Sequence, residues 1–401
     1  MVSIDQSPAK TAPGGAAGAS ARAFDKVMIC VSEDWFALSH FQQLIRTVVG
    51  LARAVVVVTN SSGRLAEIEA LGARVIAFDY HRASVNPLRE AATIRRLRRL
   101  IDAERPDVVH LIALKPIVLG SLAIGRSTAR PCMVHVTGLG TLSIASDPLW
   151  QLVRRGAYVA IRRALRRRAT HLLVENPDDL ALLKSRGIDI GERWSLLGGA
   201  GVDPVALPAL EPPSGPVPWV AFVGRMIGPK GVDTAIAAAE LLAAAHVPIV
   251  LNLYGMADPS NPEALQEFAA GQVGTVRIAR WHGHVADVRQ IWRDNAIFVL
   301  PSRGGEGLPR ALLEAAACAR PLVVTDVPGC RHFVRDGIEG FVVPPDDPMA
   351  LAKALDRLAG DRELRRTMGA AARRRLLEGF TEADVMLEVV GAYHALSSRM
   401  G

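Results

Sequence analysis

Two α/β domains, each a mostly parallel sheet covered by helices on both faces, are what this 401-residue sequence predicts. Three observations carry the prediction. Short β-branched runs alternate with longer helical stretches along the whole chain, and the runs are apolar almost throughout rather than alternating, as strands buried on both faces are. A single stretch, "DPVALPALEPPSGPVP" at 203–218, breaks the alternation with six prolines in sixteen residues. Proline lacks an amide hydrogen and fixes φ, so this stretch is a linker and not a core element.

Taken in order, the strands before the linker are "KVMICVS" (26–32), "AVVVVTN" (54–60), "RVIAF" (74–78), "DVVHLI" (107–112), "CMVHV" (132–136) and "HLLVE" (171–175), with helical patterns at 88–104 and 149–168. After it come "WVAFVG", "PIVLNLYG", "TVRIARWHG", "AIFVLPS", "PLVVTD" and "GFVVPP". The resulting division is a flexible tail at 1–24, a first domain at 25–203, the linker at 204–218 and a second domain at 219–380. A C-terminal helix at 381–401 is expected to pack back on the first domain. Sheets of this kind bind ligands beyond the carboxyl ends of their strands, so two facing domains make a cleft.

Composition excludes several classes. Half the residues are hydrophobic and 22% are charged, which excludes a disordered chain. The net charge of +7 is uneven: residues 1–205 hold 27 Lys+Arg against 18 Asp+Glu, or +9, leaving 20 against 22, or −2, for the rest. An anionic surface should therefore meet the first half. Cys30, Cys132, Cys318 and Cys330 form no CxxC pair, which fits a reducing cytoplasm. The most apolar stretch, "VVHLIALKPIVLGSLAIG" at 108–125, is interrupted by His110, Lys115 and Pro116 and reads as strand, loop and helix rather than a membrane span.

The nucleotide motifs are unorthodox. No glycine follows the first strand, where a dinucleotide fingerprint would stand. "GRMIGPKG" at 224–231 fails as a P-loop, with three residues between Gly224 and Gly228 and Gly231 in place of Ser/Thr. A glycine turn carrying two cations, Arg225 and Lys230, remains, and such a pair can clamp a diphosphate. "SRGGEGLPRALLEAAACARP" at 302–321 follows a later strand of the same sheet. It places Glu306 in a glycine loop and Glu314 inside the helix that Pro309 opens. Either carboxylate can accept from sugar hydroxyls, while the amides of Gly307 and Leu308 could point at an anion.

"VGRMIGPKGVD", "LGGAGVD" (197–203), "WHGHVADVRQIW" (281–292) and "PSRGGEGLPRALLEAAACARPLVVTDVPGCRHFVRDGIEGFVVPPDDP" (301–348) together resemble glycosyltransferase family 4, retaining enzymes of the GT-B fold. That resemblance implies a nucleotide-sugar donor. Glu306 and Glu314 match the family's E-x7-E pair, with Glu306 at the transferred sugar and Glu314 on the ribose. Arg225 and Lys230 match its diphosphate pair, with Gly307 and Leu308 beside the diphosphate. No D-x-D occurs in the chain, which fits a reaction without a metal or other cofactor.

In the first domain, "SEDWFALSHFQQLIR" (32–46) and "HLIALKPIVLGSLAIG…CMVHVTGLG" (110–140) look like the branch that extends polyprenyl-diphosphate-linked sugars in bacterial surface-glycan and N-glycan assembly. The family's usual His-Gly is absent here. Thr137 precedes the glycine, and His135 stands two residues earlier on the same strand face. His135 is the candidate for the family histidine's catalytic role, with Thr137 or the glycine loop alone as alternatives. His40, Thr137, Gly138 and Gly140 are the acceptor-side candidates.

"WQLVRRGAYVAIRRALRRRA" carries seven arginines and no acid between 150 and 169, around an apolar stripe of Trp150, Val153, Ala157, Ile161 and Leu165. Arg162, Arg163, Arg166 and Arg167 are expected on a solvated face that could rest on anionic lipid. Nucleic acid is not an expected partner, since aromatic interleaving and any readable module are absent. The reading is a retaining transferase that moves a hexose or N-acetylhexosamine from a UDP-sugar to a lipid-linked acceptor. It works at the inner face of the cell membrane. A soluble acceptor, or a non-hydrolysing UDP-sugar epimerase, are the alternatives.

Overall fold

The computed structural model describes residues 23–81, 84, 86–125, 130–139, 148–167, 169–188, 190–258, 263–268 and 274–400. The first domain holds seven strands: β1 (Phe24–Glu33), β2 (Ala52–Asn60), β3 (Arg74–Ala77), β4 (Val108–Ile112), β5 (Cys132–Val136), β6 (Thr170–Val174) and β7 (Trp194–Leu196). They lie in the order β3-β2-β1-β4-β5-β6-β7, all parallel. The second holds β8 (Trp219–Val223), β9 (Val250–Tyr254), β10 (Gly274–Val276), β11 (Ala279–Trp281), β12 (Ile297–Leu300), β13 (Leu322–Thr325) and β14 (Gly340–Val343). Their order is β10-β11-β9-β8-β12-β13-β14. The expected α/β class, two doubly wound Rossmann-like domains, is the observed one.

Two local readings need correction. "TVRIARWHG" is not one strand but a hairpin: β10 and β11 pair antiparallel around Arg277, whose φ of 54° reverses the chain. The short edge strand β7 has no counterpart among the predicted strands. Its three half-buried residues are too short a run to stand out by pattern.

The strands are apolar throughout because both faces are covered. In β1, Met28 and Cys30 face one apolar core, while Val27, Ile29 and Val31 face another. Helices Pro87–Glu104, Leu114–Ala123 and Pro148–Leu165 pack side by side over the first of these cores. Helix Glu382–Ser397, which follows the second domain, lies against the first, with Val385, Val389, Tyr393 and Leu396 in the other core. Its start is fixed by a capping box between Thr381 and Asp384.

The order of each sheet reverses direction at one point, between β1 and β4 in the first domain and between β8 and β12 in the second. At such a switch point the loops leaving adjacent strands diverge and open a crevice.

Candidate active site

The loop after β8 and the loop after β12 flank the second domain's switch point, and they are stapled together. Pro229 carbonyl oxygen accepts the Arg303 amide at 2.8 Å. The Arg303 guanidinium then donates to Gly228 oxygen, to both oxygens of Asp233 at 2.9 and 2.8 Å, and to Asp346. These carboxylates, Asp233 first, hold Arg303 firmly protonated. Between the staples, Gly228–Lys230 forms one turn of 3-10 helix, and Gly231 passes the chain into helix Val232–Ala244. Only glycine fits at 231: its φ is 68°, and a Cβ there would sit 1.9 Å from Pro301 oxygen.

This close approach brings Lys230 and Glu306 into contact. Lys230 Nζ donates to Glu306 Oε2 at 2.5 Å, and Ser302 Oγ donates to Oε1 at 2.8 Å. Arg225, on the same loop, donates to Asp258 Oδ2 at 2.8 Å. Both cations are thus matched with carboxylates. Glu314 is buried in helix Arg310–Ala317 and accepts from Arg310 Nε at 2.9 Å. Burial raises its pKa, and Arg310 opposes the rise.

His40 ends helix Asp34–His40 in the first domain and faces this cluster across the cleft. Burial, then the charges of Arg310, Lys230 and Arg225, push its pKa down to about 3, so it is a neutral imidazole at any physiological pH. Ser39 Oγ lies 2.7 Å from its Nδ1, and Phe36 packs on the ring.

Three expectations are corrected here. His135 does not reach the cleft. It is 1% exposed, lies between the rings of Phe41 and His110 with centroids 5.4 and 5.7 Å away, and stands 3.4 Å from Glu175. His135 faces the first domain's own core, whereas half-buried Thr137 lies just past the end of β5. The amides of Gly307 and Leu308 do not point at an open anion site either. Gly307 donates to Thr137 oxygen at 3.0 Å, and Leu308 donates to Glu175 Oε2 at 3.0 Å. Arg167 is no surface cation. It is buried, and it donates to Ser121 oxygen in the last turn of helix Leu114–Ala123 and to Gly125 oxygen just past its end, while Arg162 donates to Arg186 oxygen. Gly138 lies against Gly307, where a Cβ would come within 2.6 Å of its nitrogen. Gly140 lies outside the described residues.

The residues that motif reading missed are mostly carboxylates. Arg310 sits four residues before Glu314, a helical spacing that a local reading could have used. Glu175 and Asn176 follow β6, and Asp258 follows β9. Asp179 lines a cavity of about 280 Å³ between the domains with Asp178, Leu139 and Glu306. Burial pushes its pKa up to about 6, against hydrogen bonds from Asn176 and the Leu139 amide. Among the described residues no cluster of three or more His, Cys, Asp or Glu could hold a metal ion, and no helix is long and apolar enough to cross a membrane.

Comparison with known proteins places this geometry. Residues 217–361 match the family "Glycosyl transferases group 1", and residues 39–193 match "Glycosyl transferase 4-like domain". The putative glycosyltransferase EpsD of Bacillus subtilis is 23% identical over 384 residues, 92% of this chain and 96% of EpsD. The capsular polysaccharide biosynthesis glycosyltransferase CapM of Staphylococcus aureus is 27% identical over 177 residues, 44% of this chain and 45% of CapM. The chain spans less than half the length of the first curated relatives it matches. Among solved structures, HepE of Anabaena in complex with UDP and glucose superposes with a TM-score of 0.72 at 17% identity, covering 92% of this chain and 100% of HepE. The fold is that of the GT-B glycosyltransferases, and the chain carries a segment matching a glycosyl transferase 4-like domain followed by one matching the glycosyl transferases group 1 family.

Proposed function

We propose that the protein is a retaining glycosyltransferase that transfers a hexose or N-acetylhexosamine from a UDP-sugar to a polyprenyl-diphosphate-linked saccharide during surface-polysaccharide assembly. The observation that carries this reading is the convergence of Lys230, Arg225, Glu306 and Glu314 at the carboxyl edge of one sheet, on either side of its switch point. HepE, a structural neighbour, holds UDP and glucose, and EpsD and CapM are named as glycosyltransferases.

In this reading the donor diphosphate takes the places of Glu306 and Asp258 beside Lys230 and Arg225. Two cations then neutralise the charge that develops as the diphosphate leaves, which is where preorganised electrostatics count most. Glu306, released from Lys230, accepts from the transferred sugar, and Glu314 accepts from the ribose. The acceptor hydroxyl attacks from the face the diphosphate leaves, through an oxocarbenium-like state, and gives its proton to the departing phosphate. Neutral His40, with Thr137 and Gly138, lines the acceptor side. Charge stabilisation by Lys230 and Arg225 supports a reaction that needs no metal.

The first domain's basic outer layer supports a location at the inner face of the membrane. Arg89, Arg95, Arg96 and Arg99 are exposed on helix Pro87–Glu104, as are Arg155 and Arg166 near the neighbouring helix. This layer replaces the narrower arginine face centred on Arg162 and Arg167.

A panel of UDP-sugars, assayed with polyprenyl-diphosphate acceptors in EDTA, tests the proposal. Transfer with retained anomeric configuration is expected. Interconversion of UDP-sugars without acceptor would mark an epimerase, and loss of turnover in EDTA restored by Mg²⁺ would sink the metal-free mechanism.

A further inference from the structure

We propose that Glu175, in the first domain, is a positioning residue for Glu306, so that the carboxylate facing the donor sugar is set in place only when the two domains are closed. The inference rests on the reading of Glu306 given above. It goes further in assigning the control of Glu306 to the opposite domain.

The peptide after Glu306 is held almost entirely from across the cleft. Glu175 Oε2 accepts the Leu308 amide at 3.0 Å, Thr137 oxygen accepts the Gly307 amide at 3.0 Å, and Asn176 Nδ2 donates to Gly307 oxygen at 3.3 Å. Glu175 is 5% exposed and Asn176 is fully buried. The fit leaves no room for a side chain: a Cβ on Gly307 would lie 2.0 Å from Glu175 Oε2. A buried amide without an acceptor is costly, so an opened cleft must hand the Leu308 amide to water and release the loop that bears Glu306.

Lys230, Arg225 and Glu314 have no part in this contact, and their partners all belong to the second domain. Donor capture and sugar activation are therefore separable. The second domain alone can bind the nucleotide diphosphate, whereas the loop of Glu306 is aligned by the domain that receives the acceptor. Such an arrangement limits loss of the donor sugar to water when the cleft is open.

Glu175→Met keeps the volume and removes the acceptor; Glu175→Gln keeps an oxygen for the Leu308 amide. Arg331→Ala breaks a different, exposed contact across the same interface, the 2.9 Å pair with Asp178. Three quantities are measured on each full-length variant: UDP affinity, kcat with the donor and acceptor found by the panel, and hydrogen exchange of the peptide 304–310. For Glu175→Met the expected result is a kcat at least tenfold lower, exchange at 307–308 at least tenfold faster, and UDP affinity within twofold of the parent. Glu175→Gln and Arg331→Ala should stay within threefold on every measure.

Gly307→Ala approaches the same contact from the second domain. It should reproduce the Glu175→Met pattern, and it serves if that variant does not fold. Unchanged kcat or exchange in both variants overturns the proposal, as does Glu175→Gln falling as far as Glu175→Met. A parent that binds no UDP would overturn the donor reading alone, because amide exchange would still decide whether Glu175 holds Leu308.

Discussion

The two domains share one strand order about their switch points, differ at the sheet edges, and use the shared part differently. In the first, β1 runs directly into helix Asp34–His40, and the Asp34 carboxylate accepts from Ser62 and Arg64 amides and ties down a neighbouring loop. The loop after β4 is a single residue, Ala113, at a φ of 68° before an apolar helix. In the second, the corresponding loops carry Arg225 and Lys230 after β8 and Glu306 after β12. The first domain has the larger positive charge, yet it wears much of that charge on the outer helices. The second is slightly acidic and sets two cations at the switch point. The fold fixes where a ligand can sit, and the loops leaving two adjacent strands decide which chemistry it meets.

The contrast can be broken most sharply at Lys230. Lys230→Ala should weaken UDP binding by about 2–5 kcal/mol, the cost of removing one partner of a buried charge contact, with turnover falling in parallel. Titration calorimetry with UDP reads this directly. Arg225→Ala should cost less, since its side chain is 32% exposed. Equal UDP affinity in parent and both variants would remove the donor assignment from the second domain.

Arg303→Ala is next in size. It frees the staple between the two donor loops and leaves Gly228 oxygen and Asp233 without their partner, which should cost about 1–3 kcal/mol of stability. A thermal melt lower by several degrees, with weaker UDP binding, is the expected result. An unchanged melt would show that the loops hold their places without it.

The acid response is one the two domains share. His40 and His171 in the first domain have pKa values pushed down to about 3 and about 4, by burial and then by nearby arginines. His332 in the second is pushed down to about 4 by burial and Arg375. An unfolded histidine takes up a proton near pH 6.5, so between that pH and the folded values the unfolded chain binds more protons. Stability is then complete above about pH 6.5 and falls as the pH drops toward 4. His40→Asn should remove part of that slope, about 1–2 kcal/mol between pH 7 and pH 5. Parallel denaturant curves for parent and variant at both pH values would contradict it.

The smallest effects are expected on the basic outer layer. Arg95→Gln with Arg99→Gln should each remove about 1 kcal/mol of attraction to anionic vesicles. Co-sedimentation at low and high salt measures it, and UDP binding should not change. Equal vesicle binding would make that layer ordinary solvated surface.

Much of this protein was determined by its sequence alone. The strands are legible because burial on both faces leaves an apolar run that needs no partner to be recognised. The proline-rich interruption at 203–218 is equally local. Lys230 and Glu306 were nameable as a pair because each follows a strand of one parallel sheet, and such strands all end on the same edge. Tertiary structure decided the rest. Alternation put His135 on the face of Thr137, but only the fold shows that β5 stops short of Thr137 and that His135 is closed over by Phe41 and His110. The basic run around Arg162 was visible, whereas the burial of Arg167 depends on helix carbonyls more than forty residues earlier. Glu175 meets Leu308 across a sequence separation of 133, and neither residue carries a local sign of the other. Periodicity reports what a residue does to its own element. A hydrogen bond between two domains exists only once both have folded and closed, so no window of sequence contains it.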